Sequence, residues 1–170
     1  MANNLVAPDA LSGFPGAPFT DAVVDAAVAS LRRTAGWHVA PSLTETVTLD
    51  GSGGTRLILD TLRLTAVTEA RNVLEATPSI IDVRWSKVGV LAGYFPWGFR
   101  SVEVDMTHGY DACPPDLLPL IANACQRIKV DPTVASQGAG PFTVTFRDVD
   151  GATQTVVDPG LARYVLPPRP

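Results

Sequence analysis

Cysteine and lysine are both scarce in this 170-residue sequence, which contains two residues of each. Cys113 and Cys125 are too few to form a disulfide framework, so a reducing compartment such as a cytoplasm is the simpler expectation. The 13 lysines and arginines are scattered, the formal net charge is −4, and the pI is near 5.0. This charge balance argues against a protein that grips nucleic acid by neutralising its phosphates.

Long apolar runs are also missing, and no stretch approaches the roughly 20 residues that a membrane span requires. The first residues, MANNLVAPDALSG, contain neither a basic segment nor an apolar core, so no signal peptide is expected. Apolar residues make up 46% of the chain and charged residues 18%, a balance typical of a globular protein. A chain of this length fits one domain that buries roughly 70% of its unfolded surface.

Two segments have the periodicity of amphipathic helices. The first is predicted over residues 21–35, with Thr20 as its N-cap and Gly36 as its C-cap. The second is predicted to begin at Pro114-Pro115-Asp116, because proline is tolerated in the first turn, and to end near Lys129. Its expected apolar stripe consists of Leu117, Ile121, Ala124, Cys125 and Ile128.

Between the helices, apolar and polar residues alternate, which indicates β-strands. The predicted strands are 44–49, 55–59, 64–70, 80–86, 88–94 and 100–107. The glycine-rich loop 50–54 predicts that the first two pair as a hairpin, and a last hairpin is predicted from strand 142–147 with a turn at Asp150-Gly151. The predicted fold class is therefore α+β, with an N-terminal helix, a β-rich middle of hairpins, a second amphipathic helix, and a C-terminal hairpin and extended arm.

Proline-rich segments flank the predicted domain, which spans residues 20–156. Residues 1–19 and 157–170 are predicted to be arms that order only against neighbouring molecules. In the C-terminal arm, the expected apolar anchors for a partner are Leu161, Tyr164, Val165 and Leu166. The alternative is that Tyr164 and its neighbours fold back on their own domain.

Residues 105–113 hold the densest group of potentially catalytic side chains, namely Asp105, His108, Tyr110, Asp111 and Cys113. A nucleophilic Cys113 would need His108 as its base and Asp105 to orient that base. However, strand alternation places Asp105 and His108 on opposite faces, and no glycine motif that could form an oxyanion hole follows Cys113. We interpret the segment as the exit from a strand into a helix and predict no catalytic residues, with an enzyme built on it as an alternative.

Metal and phosphate sites are not indicated either. His38 and His108 are seventy residues apart and Cys113 and Cys125 are twelve apart, whereas paired zinc ligands are usually about two to five residues apart. The glycine-rich residues 51–54 are followed by neither Lys-Ser/Thr nor a helix, as a phosphate-binding loop would be. We therefore expect no metal and no cofactor.

An aromatic turn, GYFPWGF, occupies residues 93–99. Its four aromatic residues, Tyr94, Phe95, Trp97 and Phe99, could stack on ligands, which leaves a carbohydrate- or peptide-binding β-module as an alternative. Such turns more often anchor a loop to its own core or to a partner subunit. We predict that these four residues form a packing or subunit contact.

Several of these segments occur in an order that resembles a known family. They are GWHVAPSLTETVTLDG after the first helix, the apolar strand that follows, the aromatic turn, and VEVDMTHGYDACPPDLLPLIANACQR. Over about residues 20–130, this order resembles the head-to-tail adaptor (connector) proteins of long-tailed bacteriophages. The resemblance rests on the order and spacing of motifs that are each short.

The resemblance implies a structural virion protein without catalytic residues or cofactor. Members of that family are small α+β subunits that form a ring, typically of twelve copies, beneath the portal protein in the virion neck. Such a ring extends the DNA channel and joins the capsid to the next connector, stopper or tail protein. An acidic subunit would let DNA pass without specific binding. The chain would be made in the cytoplasm of a bacterial host and would not contact a membrane; a stopper or tail-completion protein is the alternative within the same class.

Overall fold

The computed structural model describes residues 5–74, 76–129, 136–139, 142–145 and 160–167. Its two α-helices are α1 (Asp21–Ala35) and α2 (Leu118–Lys129), and short 3-10 helices cover Pro8–Leu11, Pro115–Leu117 and Ala162–Tyr164. The strands are β1 (Leu43–Ser52), β2 (Arg56–Ile58), β3 (Leu64–Asn72), β4 (Ser79–Ile80), β5 (Arg84–Trp85), β6 (Val90–Ala92), β7 (Trp97–His108), β8 (Ser136–Ala139) and β9 (Phe142–Thr145). The fold class is α+β, as predicted.

Helix α1 has the predicted bounds. Thr20 is its N-cap residue, although the threonine side chain makes no capping hydrogen bond. Gly36 ends the helix with a φ of 81°, and its backbone N–H donates to the carbonyl oxygen of Arg32 at 2.9 Å. This left-handed conformation favours glycine, which explains why the helix stops there.

Helix α2 begins later than predicted, because Pro115–Leu117 forms a 3-10 turn ahead of it. Leu117, Ile121 and Cys125 are buried as expected. Ala122 is also buried, whereas Ala124 is only half-buried and Ile128 is exposed. The predicted stripe is therefore wrong at its C-terminal end, because residue spacing does not show how far along the helix its neighbour extends.

The strands form a four-stranded sheet of order β1-β7-β3-β4, a three-stranded sheet of order β2-β6-β5, and the pair β8-β9. All of these pairs are antiparallel. The predicted hairpin between the first two strands is wrong, since β1 pairs with β7 and β2 pairs with β6 in the other sheet. The glycine-rich loop carries the chain from one sheet to the other, and β7 offers a partner for nearly the whole of β1.

Other strand predictions hold only in part. The predicted strand 80–86 is split into β4 and β5, which join different sheets, and 88–94 is reduced to β6. Strand 100–107 is extended into β7, which begins within the aromatic turn. Of the predicted last hairpin, β9 is present and pairs with the preceding β8; the turn predicted at Asp150-Gly151 lies outside the described residues.

The buried apolar side chains of the described residues form two cores. In the first, the inner faces of the two larger sheets meet, with Val102, Val104 and Met106 of β7 facing Leu57 and Leu91 of the smaller sheet. The second core lies between the helices and the chain segments next to them. Among the described residues, no helix is both long and apolar enough to cross a membrane.

Both predicted arms contribute to the helical core. Its buried residues include Leu5, Val6, Leu11 and Phe19 from the N-terminal segment and Leu161 and Tyr164 from the C-terminal one. The prediction that these segments order only against neighbouring molecules therefore does not hold for residues 5–19 and 160–166. Regular structure there is limited to short 3-10 turns, since proline is frequent, but the apolar residues between the prolines can still be buried.

Candidate functional site

The potentially catalytic side chains of β7, for which the sequence predicted no catalytic role, are separated by the pleat of the strand. Asp105 lies on the outer face of the four-stranded sheet, where the guanidinium of Arg71 contacts it at 3.1 Å. The same guanidinium lies 3.4 Å from Glu103 and 3.7 Å from Glu69, and the hydroxyl of Thr46 donates to Asp105. Asp105 thus belongs to an ion-pair cluster and is not available to orient a catalytic histidine.

His108 lies on the opposite, buried face, as strand alternation predicted. Its Nε2–H donates to Glu45 Oε1 at 2.9 Å. The fold also brings His38 to His108, with 6.0 Å between ring centroids, although seventy residues separate them in sequence. Burial and the nearby Arg32 guanidinium lower the pKa of His38, so its ring stays neutral at neutral pH and does not repel its neighbour.

Neither cysteine is poised for nucleophilic chemistry. Burial and, secondarily, the Asp116 carboxylate raise the pKa of Cys113 to about 11, which keeps the thiol protonated at neutral pH. Cys125 is buried on α2, and burial raises its pKa as well. Within the described part of the chain, no group of three or more His, Cys, Asp or Glu side chains could hold a metal ion.

Gly109 and Tyr110 form the strand exit. Gly109 has a φ of 98°, and Tyr110 N–H donates to the Val39 carbonyl at 2.8 Å. The Tyr110 ring lies 6.4 Å from the Trp37 ring and 6.0 Å from the Tyr164 ring. This aromatic cluster was not predicted, because its members come from three distant segments that local spacing cannot connect.

We expect His108→Ala to lower the free energy of unfolding by about 2 kcal/mol, because it leaves a cavity and removes the partner of Glu45. Urea denaturation measures this change. Asp111→Ala, in the same segment but exposed, is the control and should alter stability by about 0.5 kcal/mol or less. An enzymatic activity that His108→Ala abolishes while the fold stays intact would contradict the structural interpretation.

Three of the four aromatic side chains of the turn are exposed. Tyr94 is 87%, Trp97 is 77% and Phe99 is 83% accessible to solvent. Phe95 is instead 4% accessible and belongs to the core between the sheets. The prediction of a contact surface is therefore corrected for Phe95, which anchors the turn to its own domain.

The backbone of the turn is held against the end of β1 and the loop that follows it. Gly53 N–H donates to the Pro96 carbonyl at 3.3 Å, and Arg100 N–H donates to Asp50 Oδ1 at 2.7 Å. A Cβ atom at Gly51 would lie only 1.9 Å from the Pro96 oxygen, so no larger residue fits at this close approach. The exposed rings are thus displayed on a fixed backbone, which lowers the entropy lost on binding.

Further exposed apolar side chains extend this surface. A Cβ atom at Gly98, between Trp97 and Phe99, would lie 3.3 Å from the Leu74 side chain, and Ile80 lines an open groove together with Tyr94. We call the exposed residues Leu74, Ile80, Tyr94, Trp97 and Phe99 the aromatic end. Apolar residues gathered in this way are more typical of an interaction site than single exposed residues are.

The four residues predicted to anchor the C-terminal arm on a partner lie against their own domain. Leu161 and Tyr164 are buried, while Val165 and Leu166 are half-buried against the helical core. Leu166 N–H donates to the Ala35 carbonyl at 2.9 Å, and its side chain covers Gly36. The alternative considered from the sequence, a segment that folds back, therefore describes residues 160–166.

No protein-family model and no curated protein matches this sequence. Solved structures share its fold. One is a chain in the neck of an empty gene transfer agent (GTA) particle, computed with C6 symmetry, with a TM-score of 0.53 and 20% identity over 84% of this chain and 88% of that chain. Another, from the virion of the native gene transfer agent particle, has a TM-score of 0.53 and 20% identity over 89% of this chain and 95% of that chain.

Proposed function

We propose that this chain is a structural protein of the neck of a phage-like particle, where its copies form a ring that joins the capsid to the tail. The observation that carries the proposal is the fold shared with chains of the gene transfer agent neck and virion, over 84% and 89% of this chain. The order of sequence motifs, which resembles head-to-tail adaptors, points in the same direction. From the same resemblance we infer a ring of about twelve copies beneath the portal protein, built from one repeated contact between neighbouring copies.

The chemistry of the chain suits this role. Asp105 and His108 are held in ion pairs or hydrogen bonds, Tyr110 packs in the aromatic cluster, and the Cys113 thiol is protonated at neutral pH. A formal charge of −4 for each subunit would repel DNA phosphates and let DNA slide through a channel. We propose that the aromatic end contacts the neighbouring protein along the particle axis.

The oligomeric state of the purified chain, with and without its portal protein, tests the proposal. Sedimentation velocity should show a small species for the chain alone and a ring-sized complex that co-sediments with the portal. A chain that stays separate from the portal at all concentrations would contradict the proposed role.

A carbohydrate-binding module is the second candidate, which the exposure of Tyr94, Trp97 and Phe99 favours. In that case a glycan should change the fluorescence of Trp97 in a saturable way. Trp97→Phe, which keeps an aromatic ring but removes this signal, separates it from the signals of Trp37 and Trp85. Absence of saturable glycan binding would eliminate this candidate.

A further inference from the structure

The outer face of the four-stranded sheet carries more negative than positive charge. Glu69, Glu103 and Asp105 surround the single guanidinium of Arg71 at 3.7, 3.4 and 3.1 Å. Three carboxylates and one guanidinium leave a formal charge of −2. These side chains are about one-quarter to one-third exposed, so the excess charge faces the surface. We call Glu69, Arg71, Glu103 and Asp105 the acidic face.

The outer face of the three-stranded sheet carries two arginines. Arg56 of β2 and Arg84 of β5 both lie opposite Ala92 of β6, one on each side. Because paired strands are about 4.8 Å apart, the two Cα atoms are about 10 Å apart. Both side chains are exposed, and within the described residues neither forms a salt bridge, although Asp82 lines the same groove. We call Arg56 and Arg84 the basic face.

The two faces point in opposite directions. Leu57, next to Arg56 on β2, and Leu91, next to Ala92 on β6, turn inward to the core between the sheets. Val104, next to Asp105 on β7, turns inward from the other side. A subunit with complementary patches on two different faces can form head-to-tail contacts, and such contacts close into a ring when the repeated rotation returns to the first copy, whereas otherwise they build a filament.

We propose that the basic face of one copy docks on the acidic face of the next copy, as the repeated contact of the ring. This inference rests on the proposed function. The two arginines supply the two positive charges that the acidic face lacks, and guanidinium groups bind carboxylates in paired hydrogen bonds. Next to the acidic face lie Thr44, Thr46 and Thr48 of β1. Their small side chains permit close approach and add hydroxyl groups.

Charge reversal in the full-length chain tests the contact. Arg56→Glu/Arg84→Glu makes both faces acidic, and Glu69→Lys/Glu103→Lys makes both basic. Each variant alone should need a protein concentration about tenfold higher or more to form rings on the portal, since like charges then meet. An equimolar mixture should regain ring assembly, with the two variants alternating around the ring, because every contact again joins opposite charges. Native mass spectrometry resolves this alternation.

Arg33→Glu/Arg127→Glu is the matched control for Arg56→Glu/Arg84→Glu, because it lowers the net charge by the same amount at exposed helix positions. It should assemble as the wild type does. Thermal unfolding verifies that each variant is folded; if Glu69→Lys/Glu103→Lys is not, the behaviour of the arginine variant decides.

If the wild type forms rings and Arg56→Glu/Arg84→Glu forms them equally well, the proposed contact is wrong, while the proposed neck function is unaffected. A wild-type chain that never assembles on the portal would instead overturn the neck function itself. Loss of assembly in the arginine variant, with the control unaffected, supports the contact, and rescue by mixing supports it further.

Discussion

A chain that ends at Val157 should be less stable than the full chain by about 4 kcal/mol, because it loses two buried side chains of the helical core. Leu161 and Tyr164 are both buried there. The Trp37 indole N–H donates to the Tyr164 carbonyl at 2.6 Å and would be left without this acceptor. The melting temperature should fall by about 10 °C, which calorimetry or circular dichroism measures.

A chain that ends at Pro167 is the control, since it keeps Leu161, Tyr164 and the backbone hydrogen bond of Leu166. If the chain that ends at Val157 has the melting temperature of the full chain, the C-terminal segment does not belong to the core. An equal loss of stability in both truncated chains would also contradict the prediction, because the stabilising contacts would then lie beyond Pro167.

Tyr164→Phe isolates the contribution of one hydroxyl group. Tyr164 Oη donates to Asp116, at 2.8 and 3.0 Å from the two carboxylate oxygens. Burial and then this hydrogen bond raise the pKa of Tyr164 above its usual value. The folded state therefore keeps the proton that the unfolded state loses above about pH 10, so stability from this group is present below that pH and lost above it. Tyr164→Phe should reduce this loss in alkaline denaturation.

Trp97→Ala/Phe99→Ala should weaken assembly on the partner protein by about a hundredfold, because exposed aromatic residues on a rigid turn often dominate binding energy. Stability should change by about 1 kcal/mol or less, since both side chains are largely exposed. Co-sedimentation with portal complexes measures the first quantity and urea denaturation the second.

Two further variants calibrate this result. Phe95→Ala should instead lower the free energy of unfolding by about 3–4 kcal/mol, because Phe95 lies in the core between the sheets. Val88→Ala, an exposed apolar position outside the aromatic end, should change neither quantity. Normal assembly of Trp97→Ala/Phe99→Ala would remove the aromatic end from the proposed contacts.

The sequence was sufficient for features that depend on near neighbours. Helix α1 was predicted with its bounds, because its apolar spacing and Gly36 act within a few residues. The buried face of β7 was also predicted, since alternation is local to one strand. The pairing of β1 with β7 was not, because the partner lies some fifty residues away and the glycine-rich loop favoured a nearer one.

The candidate contact surfaces likewise differ in whether they depend on neighbours that are near or distant in sequence. Tyr94, Trp97 and Phe99 are exposed, and their role in a subunit contact stays a prediction. The basic face was not predicted, since Arg56 and Arg84 become neighbours only through β6. For the C-terminal segment, composition indicated a free arm, but the positions that receive Leu161 and Tyr164 are created by the folded helices.

A cryo-EM reconstruction of the particle neck tests the central claim most directly. The proposal predicts a closed ring of this chain, coaxial with the portal, with the outer faces of the two sheets in contact between adjacent copies and the aromatic end against another protein. A neck without this chain, or this chain as a monomer away from the portal axis, would contradict the claim.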